Sequence, residues 1–227
     1  MSVSYPSTRV ARRIVLVSAL DLDLADAILP RGFKAKPLRG LAVGVTQVVR
    51  TEPLKAGRLP IALTPALWSC SHGILIQRSS NRGRRGYFRS MRRDIDARWL
   101  GPASGLTLPG GIHGARFTVD DQPDEFELRV ETLDGQANVE VLGCPDQRWP
   151  MSALFRTGRE ASEELGMPKG AVSALGIARA RDAWFRDHAR FPYGSAELDS
   201  AFLIRDLCTV PGPEISHIEI QSEGALA

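Results

Sequence analysis

Two histidines lie where their side chains could take part in chemistry. His113 follows a Pro-Gly-Gly bend and precedes a strand-like run, and a histidine at the mouth of a strand can act as a general acid or base near neutral pH. His72 follows Cys70 by two residues, so in a strand both side chains point to the same face. The sequence therefore indicates His113 as a candidate catalytic residue, with a hydrogen-bonded loop histidine as the plain alternative.

The pair formed by Cys70 and His72 allows three interpretations. A metal site would need further ligands at the spacing of a zinc signature, and a nucleophile with its base would need an oxyanion-hole motif; the sequence shows neither. A small core thiol beside a hydrogen-bonded histidine is favoured. We therefore predict no metal and no cofactor, and we keep His72 as a candidate substrate-binding residue.

Residues 82–98 contain seven arginines interleaved with two aromatic residues. In a strand that starts near residue 86, Tyr87 and Arg89 share one face, whereas Phe88 and Arg92 share the other. A nucleic-acid-binding surface collects its positive charge and its aromatic rings on one exposed face. Because this pattern splits them, and because two aspartates follow at once, nucleic-acid binding is the less favoured interpretation.

Arginines that face a pocket could instead anchor or polarise the oxygen atoms of a carboxylate or carbonyl compound, because a guanidinium keeps its proton. We expect the catalytic residues to be His113, Tyr87 and Arg89. We expect the substrate-binding residues to be Arg116, His72, Arg92 and Trp68.

Lysine is scarce, since the 29 basic residues include only Lys34, Lys36, Lys55 and Lys169. A bias of this kind is typical of genomic base composition, and it leaves few sites for covalent chemistry through an amine. Lys34 and Lys36 would share one face of an extended segment. Their position between a glycine and a proline predicts an exposed turn rather than a covalent site.

The composition fits a globular protein with a sizeable core. Hydrophobic residues make up 43% of the chain and the formal net charge is +3. The three cysteines are far apart and form no C-x-x-C pair, which is typical of a reduced, intracellular protein. The sequence shows neither a membrane-spanning apolar run nor a signal peptide, so we predict a cytoplasmic protein without a membrane partner.

Short β-branched and alternating segments predict mainly strands. Such segments lie at 13–18, 41–50, 68–78, 86–93, 115–121, 126–143 and 200–210. Within 126–143, the Asp134-Gly135 dipeptide is typical of a two-residue type I′ hairpin turn. Asp23 could cap a short helix, and Thr157 with Glu160 forms a capping-box pattern for another.

These elements predict one mainly β (α+β) domain, either a barrel or a sandwich. We expect a flexible N-terminus over 1–12, the domain over 13–210 and a tail over 211–227.

Several segments, taken in order, resemble the acetoacetate decarboxylase-like superfamily. GYFRSMRRDIDA resembles the central strand of an uncharacterised branch, and ILPRGFKAKPLRGLAVGV is similar to the early Leu-Pro turn and strand. Three later segments also resemble blocks of that superfamily: LPGGIHGARF (108–117), WPMSALFRTGREAS (149–162) and DSAFLIRD (199–206).

The resemblance implies a single, mostly antiparallel, conical β-barrel with a few short helices and a ligand pocket inside. Decarboxylases of the family use a lysine as Schiff-base nucleophile. This sequence has no lysine between Lys55 and Lys169, and Arg92-Arg93 stands near the place of the expected basic pair. A guanidinium cannot form an imine, so the resemblance implies a branch without that lysine.

We therefore predict a small-molecule pocket protein, namely a lyase, cyclase or dehydratase that acts on a carbonyl or carboxylate compound by general acid–base chemistry, in secondary metabolism. One alternative is a non-catalytic ligand-binding or sensory barrel, and a third class is a basic nucleic-acid-binding protein. The sequence leaves a homo-oligomer open.

Overall fold

The protein forms a closed barrel of nine strands. The computed structural model describes residues 10–52, 66–77, 87–99, 111–146, 152–167, 172–188 and 196–205. Within these ranges each strand is hydrogen-bonded to the next, and the ninth to the first. The strands are β1 (Val10–Leu20), β2 (Ala42–Thr51), β3 (Leu67–Ile76), β4 (Tyr87–Asp96), β5 (Ile112–Asp121), β6 (Phe126–Thr132), β7 (Val139–Asp146), β8 (Val172–Asp182) and β9 (Ala196–Arg205). The mainly β prediction is confirmed.

One pair of neighbouring strands runs parallel in this mostly antiparallel barrel. In the described pairing, β4 and β5 are parallel, with Arg93 opposite Ile112, and the other neighbours are antiparallel. Parallel neighbours need a crossover connection of a dozen or more residues rather than a tight turn. The 3₁₀ turn Ala97–Trp99 follows β4 directly.

Apolar side chains at alternate positions fill the barrel. In β1, Ile14 and Leu16 point inward and pack against Leu203 of β9, whereas Val15 and Val17 point outward. The inner cluster is the set Ile14, Leu16, Val48, Cys70, Ala115, Phe126, Leu128, Val130, Val139, Val141, Leu175, Ala201 and Leu203. Every strand except β4 contributes to it, because the inward side chains of β4 include charged ones.

The outer face of β1, β2 and β9 is covered by residues 152–167. Leu154 and Phe155 of this segment are fully buried against Val15 and Phe202. Asp199 holds the segment, since its carboxylate accepts hydrogen bonds from the Ser152 hydroxyl (2.7 Å) and the Ala153 amide (2.6 Å). Two of the segments that carried the family resemblance are thus joined to each other.

Helix α2 (Gly158–Glu164) lies within this covering segment. Its N-cap is Thr157, whose hydroxyl accepts a hydrogen bond from the Glu160 amide at 3.2 Å, as the sequence predicted. The Glu160 carboxylate reaches back to the Arg156 amide at 2.6 Å rather than to the amide of Thr157. The first bond satisfies an amide group in the first turn that lacks an intrahelical partner, and the second ties the residue before the cap to the helix.

The opposite outer face, on β5 to β7, is polar and exposed. Arg116 of β5 lies opposite Glu131 of β6, and Arg129 lies between Glu127 and Glu140. Alternating charges on neighbouring strands stabilise a solvated sheet face. Within the described part of the chain no helix is long and apolar enough to cross a membrane.

Short elements close the end of the barrel at which β1 ends and β2 begins, which we call the upper end. They are helix α1 (Leu22–Ile28) and the π-helical turn Trp184–His188. Leu20, Ala25 and Phe185 pack together there. Gly44 is required at this point, because a Cβ at that position would lie 2.8 Å from the Phe185 ring. The lower end is the one at which β1 begins and β2 ends.

Two local predictions were wrong in detail. The cap of α1 is Asp21, whose carboxylate accepts from the Leu24 amide at 2.9 Å, whereas Asp23 lies inside the first turn. The Asp134-Gly135 dipeptide belongs to a wider connection over residues 133–138, with Gly135 at φ 71°. Side-chain bonds stabilise the wider loop, since the Asn138 carbonyl oxygen accepts from the Thr132 amide at 2.9 Å.

Candidate active site

A bulge in β4 turns Arg92 into the barrel. His72 of β3 pairs with Arg92, but the next residue, Gly73, pairs with Ser90, so the regular alternation shifts by one residue. Phe88 packs in the outer cluster with Leu154 and Phe155, whereas Arg92 lies among the inward groups of β3 and β4. The prediction that Phe88 and Arg92 share a face was therefore wrong. A bulge leaves no clear signal in the sequence.

Arg92 is buried and holds two carboxylates. Its Nε and Nη2 donate to Asp94 Oδ1 at 3.0 and 2.7 Å, and Nη2 also donates to Asp134 Oδ1 at 2.9 Å. Only 2% of Arg92 and none of Asp94 is exposed. Burial lowers the pKa of Arg92, but the two carboxylates outweigh burial and raise it, so the guanidinium stays charged.

His72 lies beside this pair and is completely buried. Its Nδ1 is 2.9 Å from the Thr46 hydroxyl oxygen and 3.6 Å from Asp182 Oδ1. The Thr46 hydroxyl has one proton, and it donates that proton to Asp182 in a short contact. The hydroxyl oxygen must therefore accept from His72, which assigns a proton to Nδ1.

The other ring nitrogen of His72 faces a thiol and a carboxylate. Nε2 is 3.4 Å from Cys70 Sγ and 3.7 Å from Asp94 Oδ2. Burial raises the pKa of the Cys70 thiol. Burial also lowers the pKa of His72, but Cys70 and Asp182 outweigh burial, and the net pKa is raised well above its usual value. The ring lies between the carboxylates of Asp182 and Asp94.

His113 joins the network from the barrel rim. Its Nδ1 is 3.5 Å from Asp134 Oδ2, and 40% of its side chain is exposed. Burial raises the pKa of Asp134, but the Gln136 amide and Arg92 together lower it, so this carboxylate is ionised at neutral pH. Contacts therefore run from the rim inward, from His113 through Asp134, Arg92 and Asp94 to His72.

Tyr87 and Arg89 face the upper end of the barrel from the start of β4. Tyr87 packs against the cluster that contains Leu20 and Phe185. The Arg89 guanidinium lies 4.7 Å from the centre of the Phe33 ring. Its Nε is buried without a hydrogen-bond partner, which leaves a donor for a bound oxygen atom.

The structure does not bring two of the predicted site residues to this network. Arg116 is exposed on the outer face of β5. Trp68 lies toward the lower end, with its ring centre 6.3 Å from that of Phe117. His72, Arg92 and His113 belong to the network, on β3, β4 and β5. Tyr87 and Arg89 lie nearer the upper end of β4 and contact other side chains there.

Three carboxylates and a hydroxyl of the network were not predicted as site residues. Asp94 had a signal, because it follows Arg92 by two residues and must share its face in a strand. Asp134 was predicted only as a turn residue, and Thr46 and Asp182 belong to no sequence motif. Among the described residues, no group of three or more His, Cys, Asp or Glu side chains is arranged to hold a metal ion.

The positions of the arginines bear on the nucleic-acid alternative. Arg92 points inward, whereas Arg93 points outward and donates to the Ser71 hydroxyl at 3.3 Å. These two side chains therefore cannot belong to one basic face. Arg82, Arg84 and Arg85 lie outside the described residues.

The fold and the site together define a class of protein: a closed nine-stranded barrel with an apolar interior and a network of mostly buried charged side chains around β4. Comparison with known proteins supports this class through structure alone. No family model and no curated protein sequence matches the chain.

Solved structures with the same architecture are acetoacetate decarboxylases and related enzymes. The acetoacetate decarboxylase of Legionella pneumophila is 11% identical, with 91% of this chain and 87% of that chain covered and a TM-score of 0.50. An acetoacetate decarboxylase-like enzyme of Sphingomonas wittichii RW1 is 12% identical, with 88% and 91% covered and a TM-score of 0.50. The enduracididine biosynthesis enzyme MppR, complexed with pyruvate, is 12% identical, with 89% and 88% covered and a TM-score of 0.52.

The chain therefore has the acetoacetate decarboxylase-like fold. The family resemblance of the sequence is confirmed at this level.

Proposed function

We propose that this protein is an enzyme that acts on a carbonyl or carboxylate compound by general acid–base catalysis, with His113 as its proton carrier. The supporting observation is the contact between His113 Nδ1 and Asp134, at 3.5 Å, on a ring that is 40% exposed. A carboxylate that holds one ring nitrogen fixes the orientation of the imidazole and leaves Nε2 for a ligand.

Arg92 has a positioning role in this proposal rather than the substrate-binding role that the sequence predicted. Its guanidinium is engaged by Asp94 and Asp134 and is almost fully buried. It fixes the Asp134 carboxylate, which in turn orients His113. A buried guanidinium satisfied by two carboxylates has little capacity left for a ligand.

Arg89 is the cation that could hold the substrate. Within the described residues it makes neither an ion pair nor a hydrogen bond, and its Nε is a buried donor without a partner. In the proposed step, His113 Nε2 removes a proton from the carbon next to the carbonyl group. The electron pair of that C–H bond forms the enolate, Arg89 stabilises its oxygen, and the imidazolium returns the proton. Tyr87, on the same strand, remains a candidate second proton carrier.

Imine chemistry is not part of the proposal. Lys34 is ion-paired with Asp26 at 2.9 Å, and Lys36 is in short contact with Glu164. Imine formation needs a free amine, and a lysine held by a carboxylate is a poor source of one. Lys55 and Lys169 lie outside the described residues. A lyase, cyclase or dehydratase reaction fits this chemistry; its place in secondary metabolism and in the cytoplasm remains a prediction.

The test measures how fast the methyl protons of pyruvate exchange for deuterium in heavy water. Proton NMR monitors the loss of the methyl signal. The related structure of MppR holds pyruvate, so 2-oxo acids are suitable test compounds. We expect the protein to accelerate exchange, His113→Ala to lower the rate about 100-fold or more, and Arg159→Gln, on exposed α2, to leave it unchanged. Equal rates for the protein and for His113→Ala would contradict the proposal.

A borohydride experiment tests the absence of imine chemistry separately. The protein is incubated with acetoacetate and borohydride, and its intact mass is measured. We expect no mass gain. A stable adduct on a lysine would overturn this part of the proposal, even if His113 is required for exchange.

A non-catalytic ligand-binding barrel is the second candidate. The observation in its favour is that His72 and Asp94 are fully buried and that their charges compensate one another, as in a structural core. This candidate predicts that 2-oxo acids raise the thermal stability while their protons exchange no faster than in buffer.

A further inference from the structure

A row of arginines stands at the lower end of the barrel, opposite to the His113 network. Arg12 of β1 pairs in register with Arg50 of β2 on one side and with Arg205 of β9 on the other. All three continue the inward alternation of their strands. Since neighbouring strands are about 5 Å apart, the three Cα atoms span about 10 Å.

One carboxylate at this end contacts two of the three arginines. Asp121 of β5 reaches across the barrel end to Arg12 Nη1 at 3.3 Å and to Arg205 Nε at 3.2 Å, and only 3% of its side chain is exposed. Arg50 makes no ion pair or hydrogen bond in the described part of the chain. Like charges opposite each other on neighbouring strands are destabilising, so an anion at this end would be stabilised and would in turn stabilise the fold.

Two aromatic rings continue the row from Arg50. The Arg50 guanidinium lies 5.8 Å from the centre of the Trp68 ring, and Trp68 is nearly parallel to Phe117, at 14° with 6.3 Å between ring centres. These rings meet because β4, which lies between β3 and β5, ends at Asp96. Both side chains are partly exposed, so they offer flat apolar area to a ligand.

An apolar layer separates this end from the His113 network. Val48, Cys70 and Ala115 lie between them and have no exposed surface. A ligand at the lower end would therefore not reach His113. The lower end is therefore a second site, separate from the His113 network. Its residues are Arg205, Arg12, Arg50, Trp68 and Phe117.

We propose that the lower end of the barrel binds a planar organic anion. Its carboxylate or phosphate group lies against Arg50 and Arg12, and its ring lies against Trp68 and Phe117. Charge-assisted bonds from guanidinium groups recognise the anion, and stacking recognises the ring. The inference is independent of the catalytic proposal, because no residue is shared.

The experiment is a calorimetric titration with benzoate and with benzyl alcohol, which has a similar ring but no charge. We expect benzoate to bind and benzyl alcohol to bind at least 10-fold more weakly. Arg50→Gln should weaken benzoate at least 10-fold, and Trp68→Leu should weaken both compounds. The matched control is Arg129→Gln, which removes one exposed arginine from the outer face and should change nothing. Phenyl phosphate, titrated in parallel, distinguishes the two kinds of anion.

Several results would overturn the proposal. They are equal binding of benzyl alcohol and benzoate, equal effects of Arg50→Gln and Arg129→Gln, and no binding of any of the three compounds. Loss of benzoate binding in His113→Ala but not in Arg50→Gln would place benzoate at the upper end instead. Arg50→Lys keeps the charge without the guanidinium fork and should bind benzoate more tightly than Arg50→Gln, which separates a lost contact from a misfolded variant.

Discussion

At the residue scale, the site depends on how buried charges are compensated. Asp94 has no exposed surface, so it needs the guanidinium of Arg92, and Arg92 in turn fixes Asp134. His113 is the member of the set at the rim that a ligand can reach. The buried members are therefore positioning residues, and the proposed proton transfer belongs to the exposed one.

Replacing Arg92 should be far more destabilising than replacing its neighbour. Arg92→Leu leaves the buried Asp94 carboxylate without its cation, and we expect a loss of about 3–5 kcal/mol in the free energy of unfolding. Arg93→Leu is the matched control, since Arg93 points outward and contacts Ser71; we expect a change below about 1 kcal/mol. Urea unfolding measures both. Similar losses would show that Arg92 is not the partner that Asp94 requires.

The pH dependence of stability should reveal the charge on His72. Burial lowers the pKa of His72, but Cys70 and Asp182 raise it by more than burial lowers it, so the folded-state pKa lies above the unfolded value. A raised histidine pKa gives stability that is fully present below about pH 6.5. This stability is lost as the pH rises through the folded-state pKa. The difference in free energy of unfolding between the protein and His72→Gln should shrink as the pH rises through the folded-state pKa. A difference that grows with pH would contradict a raised pKa for His72.

Sequence reasoning found the residues that carry a local signal and missed those whose partners are distant. His113 follows a Pro-Gly-Gly bend and Arg92 belongs to an arginine-rich strand, and both were predicted. Thr46 and Asp182 are 136 residues apart, and Arg92 and Asp134 are 42 apart. Only the closed barrel brings such pairs together, so no spacing in the sequence could show them.

At the element scale, the bulge in β4 decides which arginine enters the barrel. Without it, Arg92 would share the outward face of Phe88. Gly73 makes the bulge possible, because a Cβ there would lie 2.0 Å from the Arg89 carbonyl oxygen. The strand itself was predicted from its residue types, but its register depends on this one contact with β3.

Gly73→Ala should therefore disturb both stability and the site. Because the clash involves backbone atoms, we expect the free energy of unfolding to fall by about 3 kcal/mol. We also expect faster exchange of the Arg92 amide proton. The control is Gly135→Ala, where no atom lies within 4 Å and the cost is that of a left-handed backbone at φ 71°, about 1–2 kcal/mol. Equal losses would show that the bulge tolerates a side chain.

The start of the covering segment 152–167 is bonded to β9. Asp199 accepts bonds from Ser152 and Ala153. We expect Asp199→Ala to increase hydrogen exchange at the Ala153 and Leu154 amides by at least 10-fold, because the anchor contributes about 1.5–3 kcal/mol. Asp120→Ala, on the exposed face, should leave these amides unchanged. Unchanged protection in Asp199→Ala would mean that the bonds to Asp199 do not hold the start of the segment.

At the scale of the whole molecule, the barrel separates two chemistries. The upper end carries the proton-bearing network, the lower end carries arginines and aromatic rings, and an apolar layer lies between them. The strand-rich fold followed from alternation and from the family resemblance, but alternation alone left barrel and sandwich open. Closure depends on the pairing of β1 with β9, whose partners such as Ile14 and Leu203 are remote in sequence.

A crystal structure of the protein with bound pyruvate tests the central claim most directly. We predict that the compound lies at the upper end, with a reactive atom within about 3.5 Å of His113 Nε2, a carboxylate or carbonyl oxygen near Arg89, and no bond to a lysine. Pyruvate joined to a lysine nitrogen, or bound away from His113, would contradict the account.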